Sequence, residues 1–474
     1  MVRVIASDVV PLSACPRRLW YDHNPPAGMD DAADDAFGTL LRELGIAHEQ
    51  AVLARLADGS GYATAESVEH TRQLVAARAP LIYQPQLVDE TEDLFGKPDF
   101  LLLQRDGLYQ AADAKLAHSI KEEIGIQIAF YRRLLGTPHP GLVFLGTGET
   151  GTVADEHDAA LDAYIVEARA VLSGAERPEA HYGDSKCSAC PYVGVCKPDF
   201  VAADALTLLY GVDGRSVAGL NQVGISTIAD LASADPAVLP DVPYLKGEKK
   251  RRAILQAQAS KSGKTIKLGD VALPAGTCVH FDIESNPHTV NGHDHVYLWG
   301  FLKPPFDEDA FEYVWTDDVG EDEAGWRGFL AKVAAYRETW PDLKLVHFSG
   351  YEVQRIRAYA ERYDMQRDPT VSWLLDVQNG PLYDIRKAVV DNLILPLSGY
   401  GLKQICKHAD LVNFQWENDE SGSQWSVVQY VKRTRSADAA ERAALKKAIL
   451  AYNRDDVRAT HALEQWLRKL SRSA

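Results

Sequence analysis

The stretch from 96 to 115 constrains the fold more than any other part of the chain. It reads Gly96-Lys97-Pro98-Asp99, an apolar run Phe100-Leu101-Leu102-Leu103, a turn at Arg105-Asp106-Gly107, and a second run from Leu108 to Asp113-Ala114-Lys115. Two apolar runs joined by a glycine-bearing turn predict a β-hairpin. A hairpin brings the start of its first strand to the end of its second, so Asp99 and Asp113 are expected to meet. Side chains two apart on a strand share a face, which puts Lys115 beside Asp113. Two carboxylates at one point repel unless a cation lies between them, an arrangement that suits a hard divalent ion. A lysine on the same face can hold or activate an ion-bound water.

The flanks extend the pattern. Phe37 to Leu56 has helical periodicity and carries His48-Glu49, a source of a further ligand. Downstream, a helix beginning near Lys121 sets Gln127 and Tyr131 at i and i+4, hence on one face. His48, Gly96-x2-Asp99, Asp113-x-Lys115 and Gln127-x3-Tyr131 follow the motif order of the RecB-type nucleases, a branch of the PD-(D/E)xK superfamily. Residues 1–200 resemble that family. The resemblance implies a restriction-endonuclease-like α/β domain in which His48, Asp99, Asp113 and the Ala114 carbonyl bind Mg²⁺ or Mn²⁺. Lys115 is then the catalytic lysine, and Gln127 and Tyr131 shape the site and the path of DNA.

Three of the six cysteines form the pattern Cys187-x2-Cys190-x5-Cys196. Thiols so closely spaced indicate a soft metal site, and Cys15 is the candidate for the fourth ligand. Four thiolates suit Zn²⁺ or an iron–sulfur cluster. One lone cysteine upstream and a triplet after the nuclease motifs resembles the iron–sulfur RecB-type nucleases. This implies a structural [4Fe–4S] cluster on Cys15, Cys187, Cys190 and Cys196, with Zn²⁺ as the alternative. Cys278 and Cys406 read as small buried hydrophobes. Residues 30–36, with four aspartates, read as an exposed acidic loop.

From 201 to 264 short helices with glycine-bearing turns are expected. Val223-Gly224-Ile225 before Ser226-Thr227 resembles a helix-hairpin-helix element, whose turn amides can hold a phosphate; a plain helical spacer is the competing reading.

A second acidic pattern begins at Val279-His280-Phe281-Asp282-Ile283-Glu284, a strand carrying D-x-E with both acids on one face. Leu345 to Phe348 reads as a strand opening into a helix that begins with Glu352. Near the end, Tyr452-x3-Asp456 lies on a helix with both side chains on one face. Together these resemble the DnaQ-like, RNase H-fold exonucleases of the DEDD type over residues 265–474. The resemblance implies that Asp282, Glu284, Glu352 and Asp456 bind two metals and that Tyr452 orients the attacking water. The family carries Asp where this chain has Glu352, which puts that ligand, and activity at this second site, in question.

The chain has 474 residues, long enough for two or three domains. With 46% apolar and 25% charged residues it has the composition of a soluble globular protein. No apolar run reaches transmembrane length, so a cytoplasmic protein without membrane contact is expected, its thiols reduced. The net charge of −17 excludes tight non-specific duplex binding without metal, because phosphate contacts need local Lys and Arg. Arg17-Arg18, Arg132-Arg133 and Lys249-Lys250-Arg251-Arg252 are the local clusters. The chain has no G-x4-G-K-[ST] loop and hence no ATPase motif, so a helicase partner would act in trans.

The pairing of the two halves is similar to a family of bacterial RecB-like nucleases found alone or joined to a helicase. The expectation is a multidomain α/β nuclease of DNA repair acting on single-stranded or end-bearing DNA. It would have a RecB-like site and a 3′–5′ exonuclease-type site. An RNA exonuclease, or a nucleic-acid-binding adaptor with a degenerate RNase H-like half, are the alternatives.

Overall fold

The structure, a computed structural model, describes residues 2–29, 36–59, 61–188, 190–290, 292–418 and 422–472. The acidic stretch at 30–35 lies outside them. The chain forms two compact units. One comprises Met1–His181, Lys186–Gly194 and His288–His293; the other comprises Tyr182–Ser185, Val195–Pro287 and Asp294–Ala474. The 201–264 segment thus belongs with the C-terminal unit.

In the first unit a six-stranded sheet runs Ala63–Thr64, Leu81–Tyr83, Phe100–Leu103, Tyr109–Lys115, Gly141–Leu145, Thr150–Val153. The two central strands form an antiparallel hairpin with Phe100 opposite Ala112 and Leu103 opposite Tyr109. Tyr109–Lys115 then pairs in parallel with Gly141–Leu145. Parallel neighbours need a crossover, and the helix Glu122–Leu135 supplies it. Alternation divides the sheet's residues between two cores. Leu101, Ala111 and Val143 pack with Ile128 and Tyr131 of the crossover helix. Phe100, Ala112 and Phe144 pack with Val52 and Leu53 of the helix Ala36–Ala57.

The run from Leu81 to Asp89 is not one strand but is broken in two. Gln84 adopts φ 54°, and its amide donates to the Asp99 carbonyl at 2.8 Å. Pro85 follows and has no N–H to give a ladder. Leu87–Asp89 therefore joins a separate small sheet with Leu94–Gly96 and Val4–Ile5.

The second unit holds a five-stranded sheet in the order Phe311–Trp315, His293–Leu302, Cys278–Val290, Lys344–His347, Leu382–Asp384. The last three strands run parallel. Trp299, Trp326, Phe329 and Tyr359 fill the core on one face. The 34-residue helix Ala439–Arg472 buries Ala459, Leu463 and Leu467 in another. The middle segment has its own small core of Leu206, Leu220, Leu231 and Ile254. Its helices Gly214–Gln222 and Ile228–Ser233 are joined at Gly224, which takes φ 82°, and Thr227 caps the second through the Asp230 amide. Gln256 donates to the Leu395 carbonyl at 2.7 Å and accepts from Tyr400 at 3.0 Å, and Tyr210 stacks on Tyr400. These contacts fasten the segment to the C-terminal sheet.

Candidate active site

The hairpin brings Asp99 and Asp113 together through their backbones as well as their charges. The Asp99 amide donates to Asp113 Oδ1 at 2.9 Å, and the Ala114 amide donates to Asp99 Oδ2 at 2.8 Å. Lys115 Nζ lies 2.9 Å from Asp113 Oδ2. Burial and then the Asp113 charge push the Asp99 carboxyl up to about 8, against the pull of Lys115. Burial works against the Lys115 charge, but Asp113, Asp99 and Glu49 together raise its pKa. Tyr131 completes this face. Burial, Asp113 and Asp99 raise its phenol well above the ordinary range, and it is bonded to Gln127. Its hydroxyl lies 3.4 Å from the Lys97 carbonyl. A Cβ at Gly96 would come 2.7 Å from Leu134 Cδ1 and 2.9 Å from the Tyr131 ring, so the glycine gives both side chains room.

His48 is placed elsewhere. Its Nε2 is 2.9 Å from the Phe144 carbonyl, and it borders a pocket with Arg55 and Thr147. The helix that carries it packs on the Phe100–Ala112 face of the sheet, opposite the face of Tyr131. Its neighbour Glu49 acts instead on Asp99 and Lys115 and accepts from Tyr83 at 2.7 Å and Gln84 at 2.5 Å. The adjacent position therefore supplies the helix-borne carboxylate.

Cys15 starts the helix Pro16–His23 as its N-cap, Cys187 closes the short helix Asp184–Cys187, and Cys196 lies within Val193–Ala202. All four pattern cysteines are half-buried and none is in a disulfide. Lys186 donates to the Ala14 carbonyl at 3.3 Å and Tyr192 to Asp22 at 2.9 Å. The segment that begins the triplet is thereby held against the helix that Cys15 starts. Among the described residues, no sulfur shares a set of three or more ligand atoms within 4.8 Å. Cys278 and Cys406 are buried.

In the second unit, ligand atoms of Asp282, Glu284 and Asp456 lie within 4.8 Å of one another. The first two project from one face of Cys278–Val290, the third from Ala439–Arg472. Burial, Glu284, Asp456 and Glu352 drive the Asp282 carboxyl well above its ordinary range. Burial and Asp456 push Glu284 up to about 8. Three acids that resist ionising together are the donor set a divalent cation neutralises. Glu352 is buried, close enough to act on Asp282, and 3.4 Å from His347 Nδ1. It is Oε2 that faces His347, and burial raises the Glu352 carboxyl against the pull of that imidazole. Tyr452 is bonded to Asp456, and burial and the surrounding acids raise its phenol.

Sequence reasoning missed three residues here. Asn453 Nδ2 donates to Asp282 Oδ2 at 2.7 Å and reaches Glu284 Oε1 at 3.5 Å. Trp416 Nε1 donates to Asp456 Oδ1 at 2.7 Å. Lys403 lowers both Glu284 and Asp456, and its ammonium lies 5.2 Å from the Tyr452 ring centre. Asn453 was findable as the residue one turn before Asp456, at i and i+3 on the same helix.

A family model described as the RNase_H superfamily matches residues 279–468, the span from the D-x-E strand into the last helix. The C-terminal part of the chain is an RNase H-like domain, consistent with a nuclease-type function. A search of curated proteins found no match. Among the described residues no helix is long and apolar enough to cross a membrane.

Proposed function

We propose that this protein is a metal-dependent nuclease that hydrolyses phosphodiester bonds, with DNA bearing a free end or a single strand as its substrate. The observation that carries the reading is the convergence of Asp282, Glu284 and Asp456 within 4.8 Å inside an RNase H-like domain. Mg²⁺ or Mn²⁺ held there would supply activation of the attacking water and stabilisation of the leaving oxygen. The chain's own residues do the rest. Asn453 fixes the rotamers of Asp282 and Glu284, Trp416 fixes Asp456, and Tyr452 presents a hydroxyl that stays protonated beside Asp456. Glu352 is the fourth acid, steered by His347. A groove of about 590 Å³ on the same domain is lined by Lys446, Lys447, Arg454, Phe311 and Tyr313. It offers phosphate contacts and aromatic faces despite the acidic whole.

A second, RecB-like site on the first unit belongs to the same proposal, with Asp99 and Asp113 as ligands, Glu49 beside them and Lys115 as the catalytic amine. Cys15, Cys187, Cys190 and Cys196 are proposed to hold a [4Fe–4S] cluster of structural role, on the resemblance of their pattern to the iron–sulfur RecB-type nucleases, with Zn²⁺ as the alternative. Anaerobically purified protein should be brown; a colourless, zinc-loaded protein counts against the cluster.

The test is cleavage of end-labelled DNA and RNA by the full chain under Mn²⁺ and Mg²⁺, in wild type, Lys115→Ala, Asp456→Asn and the double variant. Each single variant should retain the other site's products and the double variant should retain none. Faster cleavage of RNA would move the substrate to that polymer. Absence of metal uptake by the carboxylates would leave the C-terminal half as a binding platform.

A further inference from the structure

Directly along the strand from Asp282 lies a second set of ligand atoms of different chemistry. His280, His461 and Glu464 bring one donor each within 4.8 Å of the others. His280 is fully buried, two residues before Asp282 and on the same strand face. His461 and Glu464 sit at i and i+3 of the helix Ala439–Arg472, two turns beyond Asp456. His280 Nε2 lies 2.7 Å from Glu464 Oε2, and the two imidazoles are 4.8 Å apart between ring centres. His280 Nδ1 and His461 Nδ1 are both buried without a hydrogen-bond partner, which is costly for a polar atom that no cation or proton satisfies.

The surroundings are those of a metal ligand set. Glu464 Oε1 is held by Arg468, whose Nε lies 2.8 Å away, in the manner of the outer partners that orient ligating carboxylates. Phe306 stacks on the His461 ring at 4.2 Å and fixes its plane. The thiol of Cys278, on the same strand face, interacts with Glu464 but lies outside the three-atom set. Asp282 and Glu284 on the same strand and Asp455 and Asp456 on the same helix offset added positive charge.

We propose that His280, His461 and Glu464 bind a borderline divalent cation of the zinc class, distinct from the hard cation suited to the carboxylate set. Two imidazoles and one carboxylate select Zn²⁺ or Co²⁺ over Mg²⁺. Bound there, the ion would pin strand Cys278–Val290 to the long helix and so hold Asp456 opposite Asp282. Its role is positional, and it needs no contact with substrate.

The experiment is zinc uptake by the full chain, purified with its cysteine site intact, in wild type, His461→Ala, His461→Asn and Asp456→Asn. Wild type and Asp456→Asn should each bind one more equivalent of Zn²⁺ than the two His461 variants. Zn²⁺ but not Mg²⁺ should raise the melting temperature only in the former pair. Equal uptake in all four overturns the proposal. Zinc-edge X-ray absorption of loaded wild type does not depend on any variant folding. A shell containing imidazole is expected, and a shell of sulfur alone or of water alone overturns it.

Discussion

Replacing Asp456 with asparagine should stabilise the metal-free protein. Burial lifts this carboxyl from its ordinary 3.8 to about 6, with Asp455 adding to the rise and Trp416, Tyr452 and Lys403 opposing it. A group whose folded-state pKa lies above its unfolded value contributes stability at low pH. That contribution is fully present below about pH 4 and is lost as pH rises through 6. At about 1.4 kcal/mol per tenfold change in proton affinity, the loss by about pH 8 comes to about 3 kcal/mol. Roughly half of it is already incurred at about pH 5. Asparagine removes the charge and keeps an oxygen for Trp416 Nε1. Scanning calorimetry in chelator should show Asp456→Asn melting roughly 6 °C above wild type at about pH 8. The two should converge below about pH 4, and the variant should lose most of the Mn²⁺-induced rise seen in wild type. Equal melting in chelator at pH 8, or an undiminished Mn²⁺ effect, would refute the repulsive cage.

Other outcomes follow from the same geometry. Lys115→Ala, assayed with the second site disabled by Asp456→Asn, should lower cleavage by roughly 10²–10⁴-fold while leaving the visible absorption of the proposed cluster unchanged. Gly300→Ala sets a Cβ 1.7 Å from Asn453 Oδ1; it should cost about 1–3 kcal/mol in thermal unfolding and weaken Mn²⁺ binding. Asn453→Ala should reduce metal affinity or turnover by roughly 10–100-fold, read by calorimetric titration. Lys446→Ala with Lys447→Ala should weaken single-strand binding and flatten its salt dependence by about 0.7 per lysine lost.

The hairpin from Phe100 to Lys115 was legible because strand alternation leaves one register that buries Leu101 and Ala111 together. The D-x-E strand and the Tyr452-x3-Asp456 pair were legible for the same reason, since each periodicity fixes a face. The choice between His48 and Glu49 was not. Their helix buries only Leu40, Val52 and Leu53, so its apolar pattern sets no clear phase, and one residue's difference rotates a side chain by about 100°. Lys403 and Trp416 come from segments that precede the site helix Ala439–Arg472, and only tertiary packing places them beside Tyr452 and Asp456. His280 was written in the sequence as a same-face neighbour of Asp282, but a lone histidine in an apolar strand carries no signal until the helix that faces it is known.

The crossed bonds between Asp99 and Asp113 make each aspartate the other's splint. Asp113 Oδ1 holds the amide of Asp99, and Asp99 Oδ2 holds the amide that follows Asp113. The donors are backbone amides, so alanine at either position removes one of the two bonds and leaves the other, and the pair of alanines should cost more than either alone. Charge and scaffold come apart only under isosteric swaps. Asparagine keeps an acceptor for the crossed amide, and its deficit alone measures what the negative charge contributes.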